Sequence, residues 1–252
     1  MNRRRIFGLM RGGWGPGTSW SPLDLPNLVF YAPLSAAYSE WYTTSAGTTL
    51  VSANGDPIGK ITDESGSGND LLQATDANRP IFNVVGTSRS VSFNGTSQYI
   101  VSANFAAAIP QPVTVAIAWQ LSGISVNQNI FDGLTGARCA LLSSTGDTNF
   151  SMYASGASRA QISGLPRDTN QHIGVFCYNA ASSTAYVDGS ARTLSVNPGT
   201  NGLGRLVVGA AFDGSAKLAG SISSAMPIVI AGTLSDADRD KLYAWLAARI
   251  GA

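Results

Sequence analysis

From Leu28 onward the chain alternates between short apolar runs and small polar breaks. LVFYA (28–32), PIFNVV (80–85), SVSFN (90–94) and QYIVS (98–102) come first, separated by Gly, Ser and Asn. NIFDG (129–133), RCALLS (138–143), NFSMYA (149–154), HIGVFCY (172–178), STAYVDG (183–189), ARTLSV (191–196), RLVVGAA (205–211) and LAGSISSAMPIVIA (218–231) continue the pattern. Runs of this length, rich in β-branched and aromatic residues and bounded by turn formers, predict strands. VTVAIAW (113–119) is apolar almost throughout, which predicts a central strand covered on both faces. Asp188-Gly189 between two runs predicts a tight hairpin.

One segment has the helical period instead. Ser235 with Asp238 three residues on forms a capping box, and Asp236, Asp238 and Asp240 suit the positive end of a helix dipole. Leu242, Trp245, Leu246 and Ile250 fall on one stripe, and Gly251 ends the pattern. The prediction is a helix over 235–250 packed on the edge of a sandwich. A dozen or more strands in succession, with no alternating helices, predict an all-β, two-sheet antiparallel jelly-roll β-sandwich over 21–252, closed by that short C-terminal α-helix.

Composition changes the picture in two places. Apolar residues are 44% and charged residues 12% of the 252, enough to bury a large core. Net charge is +1, so no global field points to nucleic acid. Four of the positive charges, however, lie in the first eleven residues, on a body that is mildly acidic. Residues 1–20 show no strand or helix period. With Arg3, Arg4, Arg5, Ile6, Phe7, Leu9, Arg11 and Trp14 they read as a basic, aromatic arm that docks on a partner. The apolar run Ile6–Met10 is too short for a signal-peptide core, and no stretch is long enough to cross a membrane. Assembly in a cytoplasm without membrane insertion is expected. Cys139 and Cys177 each sit in an apolar run and read as reduced core thiols.

Several stretches resemble the concanavalin A-like lectin/glucanase superfamily, in the laminin-G-like form common in bacteriophage structural proteins. They are ITDESGSGNDLLQATDANRPIF (61–82) with SVSFNGTSQYIVS (90–102), TAYVDGSAR (184–192), RLVVGA (205–210), and LAGSIS (218–223) with IVIAGTLSDADRDKLYAWLAARIG (228–251). The resemblance implies the sandwich fold, but not a function, because the superfamily includes hydrolases, lectins and structural modules. Residues 33–52 depart from the pattern. They are longer and more aromatic than expected, and read as a loop over one end of the sandwich.

The chemistry readable from sequence is sparse. The glucanase branch uses paired carboxylates on one strand, about 5 Å apart for retaining hydrolysis. The chain has only two glutamates, Glu40 and Glu64, and no strand carries an acidic pair on one face. His172 is the only histidine and reads as a hydrogen-bonded strand-start residue rather than a catalytic base. Asp63–Asp70 is faintly like a calcium loop, but Ala74 stands where a bidentate acid is needed, so it reads as a polar turn. Tyr38, Trp41 and Tyr42 could form an aromatic platform for a sugar, against the competing reading of core or interface residues.

The resulting expectation is a non-enzymatic virion structural protein of a tailed phage or phage-like particle: a capsid decoration, head fibre or spike. It would be a homo-oligomer at the virion surface, anchored to other virion proteins through its arm, with no metal and no cofactor. The alternative is a glycan-binding receptor-recognition module for host surface polysaccharide.

Overall fold

The computed structural model describes residues 20–34, 40–154 and 159–250. In chain order the strands are β1 (Leu28–Phe30), β2 (Trp41–Tyr42), β3 (Lys60–Ile61), β4 (Leu71–Leu72), β5 (Ile81–Val85) and β6 (Ser88–Asn94). β7 (Ile100–Ser102), β8 (Val113–Leu121), β9 (Gln128–Asp132), β10 (Ala140–Ser143), β11 (Asn149–Tyr153) and β12 (Ala160–Pro166) follow. The last are β13 (Gln171–Tyr178), β14 (Thr184–Val187), β15 (Ser190–Arg192), β16 (Val207–Val208) and β17 (Ala219–Ala231), before helix α1 (Asp236–Ile250).

These strands build two antiparallel sheets. One runs β15-β14-β13-β8-β17-β6-β5, with β1 added beside β17, and the other runs β12-β11-β10-β9-β16-β7-β4-β3-β2. The all-β sandwich with one C-terminal helix is therefore the fold of this chain. Phe30, Phe82, Phe93, Phe131, Phe150, Phe176 and Leu206 fill the space between the sheets. Trp119 of β8 meets Phe150 of β11 edge to face at 5.4 Å, joining the two layers. Tyr178 crosses the same gap and donates its hydroxyl to the Ala140 carbonyl at 2.7 Å. Each such side chain contributes about 1.5–3 kcal/mol by leaving water.

β8 shows why its sequence is apolar throughout. Val113, Val115, Ile117 and Trp119 face the inter-sheet core. The alternate residues Ala116 and Ala118 face outward, where Leu242, Trp245 and Leu246 of α1 cover them together with Ile173, Val175, Ile228 and Ile230. Small alanines let the helix approach closely. The helix starts as its sequence predicts, with Asp238 N–H donating to Ser235 Oγ at 3.1 Å. Asp188 and Gly189 take φ of 52° and 77°, the left-handed pair that a two-residue hairpin between β14 and β15 requires. Cys139 and Cys177 are free and buried.

The eight-stranded sheet thus has its outer face occupied by the helix. Among the described residues the nine-stranded sheet carries no helix on its outer face, and a group of polar, aromatic and charged side chains gathers there around β7 and β16.

Candidate functional site

Strand register defines the open face. Cross-strand partners in antiparallel sheets share a face. Asp132 pairs with Val207, Val207 with Val101, Val101 with Leu72, Leu72 with Lys60, and Lys60 with Tyr42. Ile100 and Val208 point into the core, so this row lies outside. Tyr99, two residues before Val101, adds its ring to the same face.

Where the row reaches β7 and β16 the surface sinks into a cleft of about 260 Å³, lined by Tyr99, Val101, Arg205, Val207, Phe212 and Asp213. Its lining residue Phe212 is anchored by Asp132, whose side chain is fully buried. One carboxylate oxygen accepts from Gly133 N–H at 2.7 Å and Arg138 Nε at 2.9 Å. The other accepts from Asn129 Nδ2 at 3.0 Å, Phe212 N–H at 3.0 Å and Arg138 Nη2 at 2.5 Å. A buried carboxylate with this many donors is fully satisfied, so Asp132 is an anchor that fixes two neighbours. One is the Arg138 guanidinium, which lies over the rings of Tyr153 at 4.9 Å and Phe212 at 4.3 Å. The other is the loop 209–215 that carries Phe212.

The same loop is held from a second side. Arg205 Nη2 donates to the Phe212 carbonyl at 2.5 Å, and Arg205 Nε donates to the Gly133 carbonyl at 3.4 Å. Lys217 Nζ sits 4.9 Å from the centre of the Tyr99 ring. Asp213 at the cleft mouth is kept below the ordinary carboxylate range by the hydroxyl and N–H of Ser215. The loop leaves β16 through Gly209, at φ 83°, where an added Cβ would come within 2.4 Å of the Phe93 ring. The site therefore sets half-exposed aromatic rings (Tyr99, Phe212) beside the charged side chains of Arg205, Lys217 and Asp213, an apolar surface with a few placed polar groups.

The residues named from sequence are distributed otherwise. Trp41 is buried in the core, edge to face with Phe82 at 6.2 Å, so its ring has no open face, and the platform reading is corrected for this residue. Tyr42 is half-buried on the open row, three strands from Val101, with Lys60 Nζ 6.0 Å from its ring. Tyr38 and the arm residues Arg3, Arg4, Arg5, Ile6, Phe7, Leu9, Arg11 and Trp14 lie outside the described residues. Residues 40–51 make an edge strand rather than only a loop: Trp41–Tyr42 pairs with β3 and bridges to Leu50. Asp63 accepts from the N–H groups of Tyr31, Ser65 and Asn69, the pattern of a polar turn. Sequence reasoning missed Asp132, Arg138, Arg205 and Phe212 because each sits at the end of an ordinary strand-like run. Only pairing across distant strands brings them together.

The charge of Glu40 is felt at Glu64. Thr62 N–H donates to the Glu40 carbonyl at 2.9 Å across the β2–β3 ladder. Burial, then the charges of Glu40 and Asp63, push the Glu64 carboxyl up to about 7.

No protein-family model matches the chain, and no curated protein matches it. Solved structures with the same fold do. A Trypanosoma rangeli sialidase matches 90% of this chain at TM-score 0.57 and 14% identity, and this chain spans 33% of the sialidase chain. A variant GH54 α-L-arabinofuranosidase matches 88% at TM-score 0.57 and 12% identity, with 63% of its own chain covered. Domain 4 of a GH43 extracellular arabinanase from Geobacillus stearothermophilus, in complex with arabinotriose, matches 86% at TM-score 0.58 and 9% identity, with 98% of its chain covered. At these identities the likeness is one of fold. It nevertheless corrects one expectation. The carboxylate census placed the chain outside enzymes, whereas the structures that share its fold are chains of glycoside hydrolases.

Proposed function

We propose that this chain is a carbohydrate-recognition sandwich, with its binding surface on the outer face of the nine-stranded sheet at the Tyr99–Phe212 cleft. The observation that carries the reading is the cleft itself: two aromatic rings, Tyr99 and Phe212, the second held by a buried carboxylate–arginine pair, on the sheet that carries no helix among the described residues. The arabinotriose-bound arabinanase domain supports it, since nearly all of that chain is matched. A glycan array probed with the full chain tests it. Binding to one or more oligosaccharides is expected, and Tyr99→Ala or Phe212→Ala should abolish it while far-ultraviolet circular dichroism stays unchanged. An array without signal, or undiminished binding by both variants, would refute the site.

The location of this recognition surface is a second, independent proposal that rests on the resemblance of residues 61–82, 90–102, 184–192, 205–210 and 218–251 to phage laminin-G-like sandwiches. On that reading the module stands on a virion surface and residues 1–20 anchor it to other virion proteins. Deleting residues 1–20 should leave a folded chain that no longer enters particles. Normal incorporation of the truncated chain would overturn the anchoring role.

A further inference from the structure

We infer that the sugar taken by this cleft is acidic, a carboxylated saccharide of the uronate or sialate type. The inference rests on the carbohydrate-recognition reading and adds the chemical class of the ligand. All fifteen side-chain carboxylates of the protein lie among the described residues, so the pairing of each cation at the cleft can be followed. Arg138 is neutralised by Asp132. At the far end of the row Lys60 is neutralised by Asp70 at 2.8 Å. Arg205 and Lys217 are different. Among the described residues Arg205 donates to the neutral carbonyls of Gly133 and Phe212 and makes no ion pair. Lys217 rests on the Tyr99 ring and makes no ion pair among the described residues. Its ammonium is also the nearest atom, at 3.8 Å, to where a Cβ on the cleft residue Gly214 would stand.

Two cations therefore flank one aromatic cleft without a carboxylate of their own. Asp213 is the opposing charge at the mouth, but its Oδ1 is engaged by Ser215 N–H at 2.9 Å and Ser215 Oγ at 2.6 Å. Arg205 and Lys217 against Asp213 leave the cleft net positive on a body that is otherwise mildly acidic. A neutral sugar would gain ring contact from Tyr99 and Phe212 but would leave both cations unanswered. A carboxylated sugar places its charge between them while its ring lies on the aromatic faces. Arginine in particular suits the planar carboxylate, which can take two parallel N–H donors.

The test is binding of the full chain to immobilised oligogalacturonate, oligoglucuronate and sialyllactose, each beside its carboxyl-methyl ester, with neutral arabino-, xylo- and galacto-oligosaccharides on the same surface. The expected result is binding to at least one acid, ten-fold or more weaker binding to its ester, and affinity that falls as salt is raised. Lys217→Gln, which removes the charge beside Tyr99, should weaken acid binding several-fold. Arg205→Gln should weaken it further, with circular dichroism confirming that its loop-holding role has not unfolded the chain. Equal binding to acids and esters, or binding to neutral sugars alone, overturns the acidic-ligand inference and leaves the carbohydrate reading standing. No binding to any sugar overturns both.

Discussion

His172 Nδ1 lies 2.8 Å from Asp188 Oδ2, tying the start of β13 to the first residue of the β14–β15 turn. The other ring nitrogen reaches Asp168 Oδ1 at 3.0 Å, so one buried imidazole bridges two carboxylates. Burial works to lower the His172 pKa, but the hydrogen bonds and charges of Asp188 and Asp168 outweigh it and raise the group above its ordinary 6.5. Burial works to raise both aspartates, and their hydrogen bonds hold them below 3.8. A raised histidine stabilises fully below its unfolded value, and that contribution is lost as pH rises through the folded value. The lowered aspartates stabilise fully above 3.8, and that contribution is lost as pH falls through their folded values. The cluster is therefore strongest between those limits. Urea unfolding of the wild type should show stability declining from pH 6 to 9. His172→Gln should be less stable by about 1–3 kcal/mol at pH 6, with a flatter profile over that range.

Removing the anchor of the cleft should be more severe. Asp132→Ala strips Arg138 of its carboxylate and frees Phe212 N–H. Breaking a buried pair from one side costs about 3–5 kcal/mol. Arg138 keeps some access to water, so a loss near the lower end, about 3 kcal/mol, is expected in equilibrium unfolding. Asp132→Asn, which retains oxygen acceptor capacity, should lose less.

Glu64 gives the opposite pH signature from the aspartates. Its folded pKa, pushed to about 7 from 4.5 by burial and then by Glu40 and Asp63, means that the folded chain holds an extra proton between those values. Stability from this group is greatest below 4.5 and is lost as pH rises to 7. Glu64→Gln should raise stability at pH 8 by about 1 kcal/mol, a figure reduced for the group's partial exposure, and should change little at pH 5. An equal effect at both values would show that charge is not the cause.

Trp41 separates core from surface. Trp41→Ala should cost about 3–5 kcal/mol by leaving a cavity against Phe82. Any loss of sugar affinity should follow unfolding and disappear once stability is restored by lower temperature. Tyr99→Ala should do the reverse, with little change in melting temperature and complete loss of binding.

Much of the sandwich was legible because burial on one or both faces writes itself into period-two or continuous apolar runs. β8, β13 and β17 lie close to where LVFYA-type patterning put them, and α1 was set by Ser235, Asp238 and the Leu242–Trp245–Leu246 stripe. The misses were physical. β2, β3 and β4 are two residues each, too short to show any period. β12 is interrupted by Gly164 at φ 69° and shifts register against β11. The aromatic cluster at 38–42 was legible as aromatic but not as core or surface, and Trp41 and its neighbour Tyr42 went opposite ways because successive strand residues face opposite sides. The cleft could not be read at all. Asp132, Arg138, Arg205 and Phe212 meet only through the β9–β16 and β9–β10 pairings.

The short strands at the ends of the sheets have a consequence for self-assembly. β2 is closed along its outer side by Thr43 N–H to Thr49 O at 2.7 Å and Val51 N–H to Trp41 O at 2.9 Å. β5 is closed by residues 55–58, with Phe82 N–H bonded to Asp56 O at 2.9 Å. β12 is closed by the segment after β15, with Ser163 N–H to Thr193 O at 2.9 Å and Ser195 N–H to Gln161 O at 3.0 Å. The margins at β2, β5 and β12 are thus hemmed by the chain's own backbone, and the margins at β15 and β1 are three residues long. Such margins offer no template for an incoming strand. Among the described residues, contacts between copies would therefore run through side-chain surfaces, which leaves the sheet ladders intact and makes the order of any oligomer a matter of face chemistry rather than of backbone continuation.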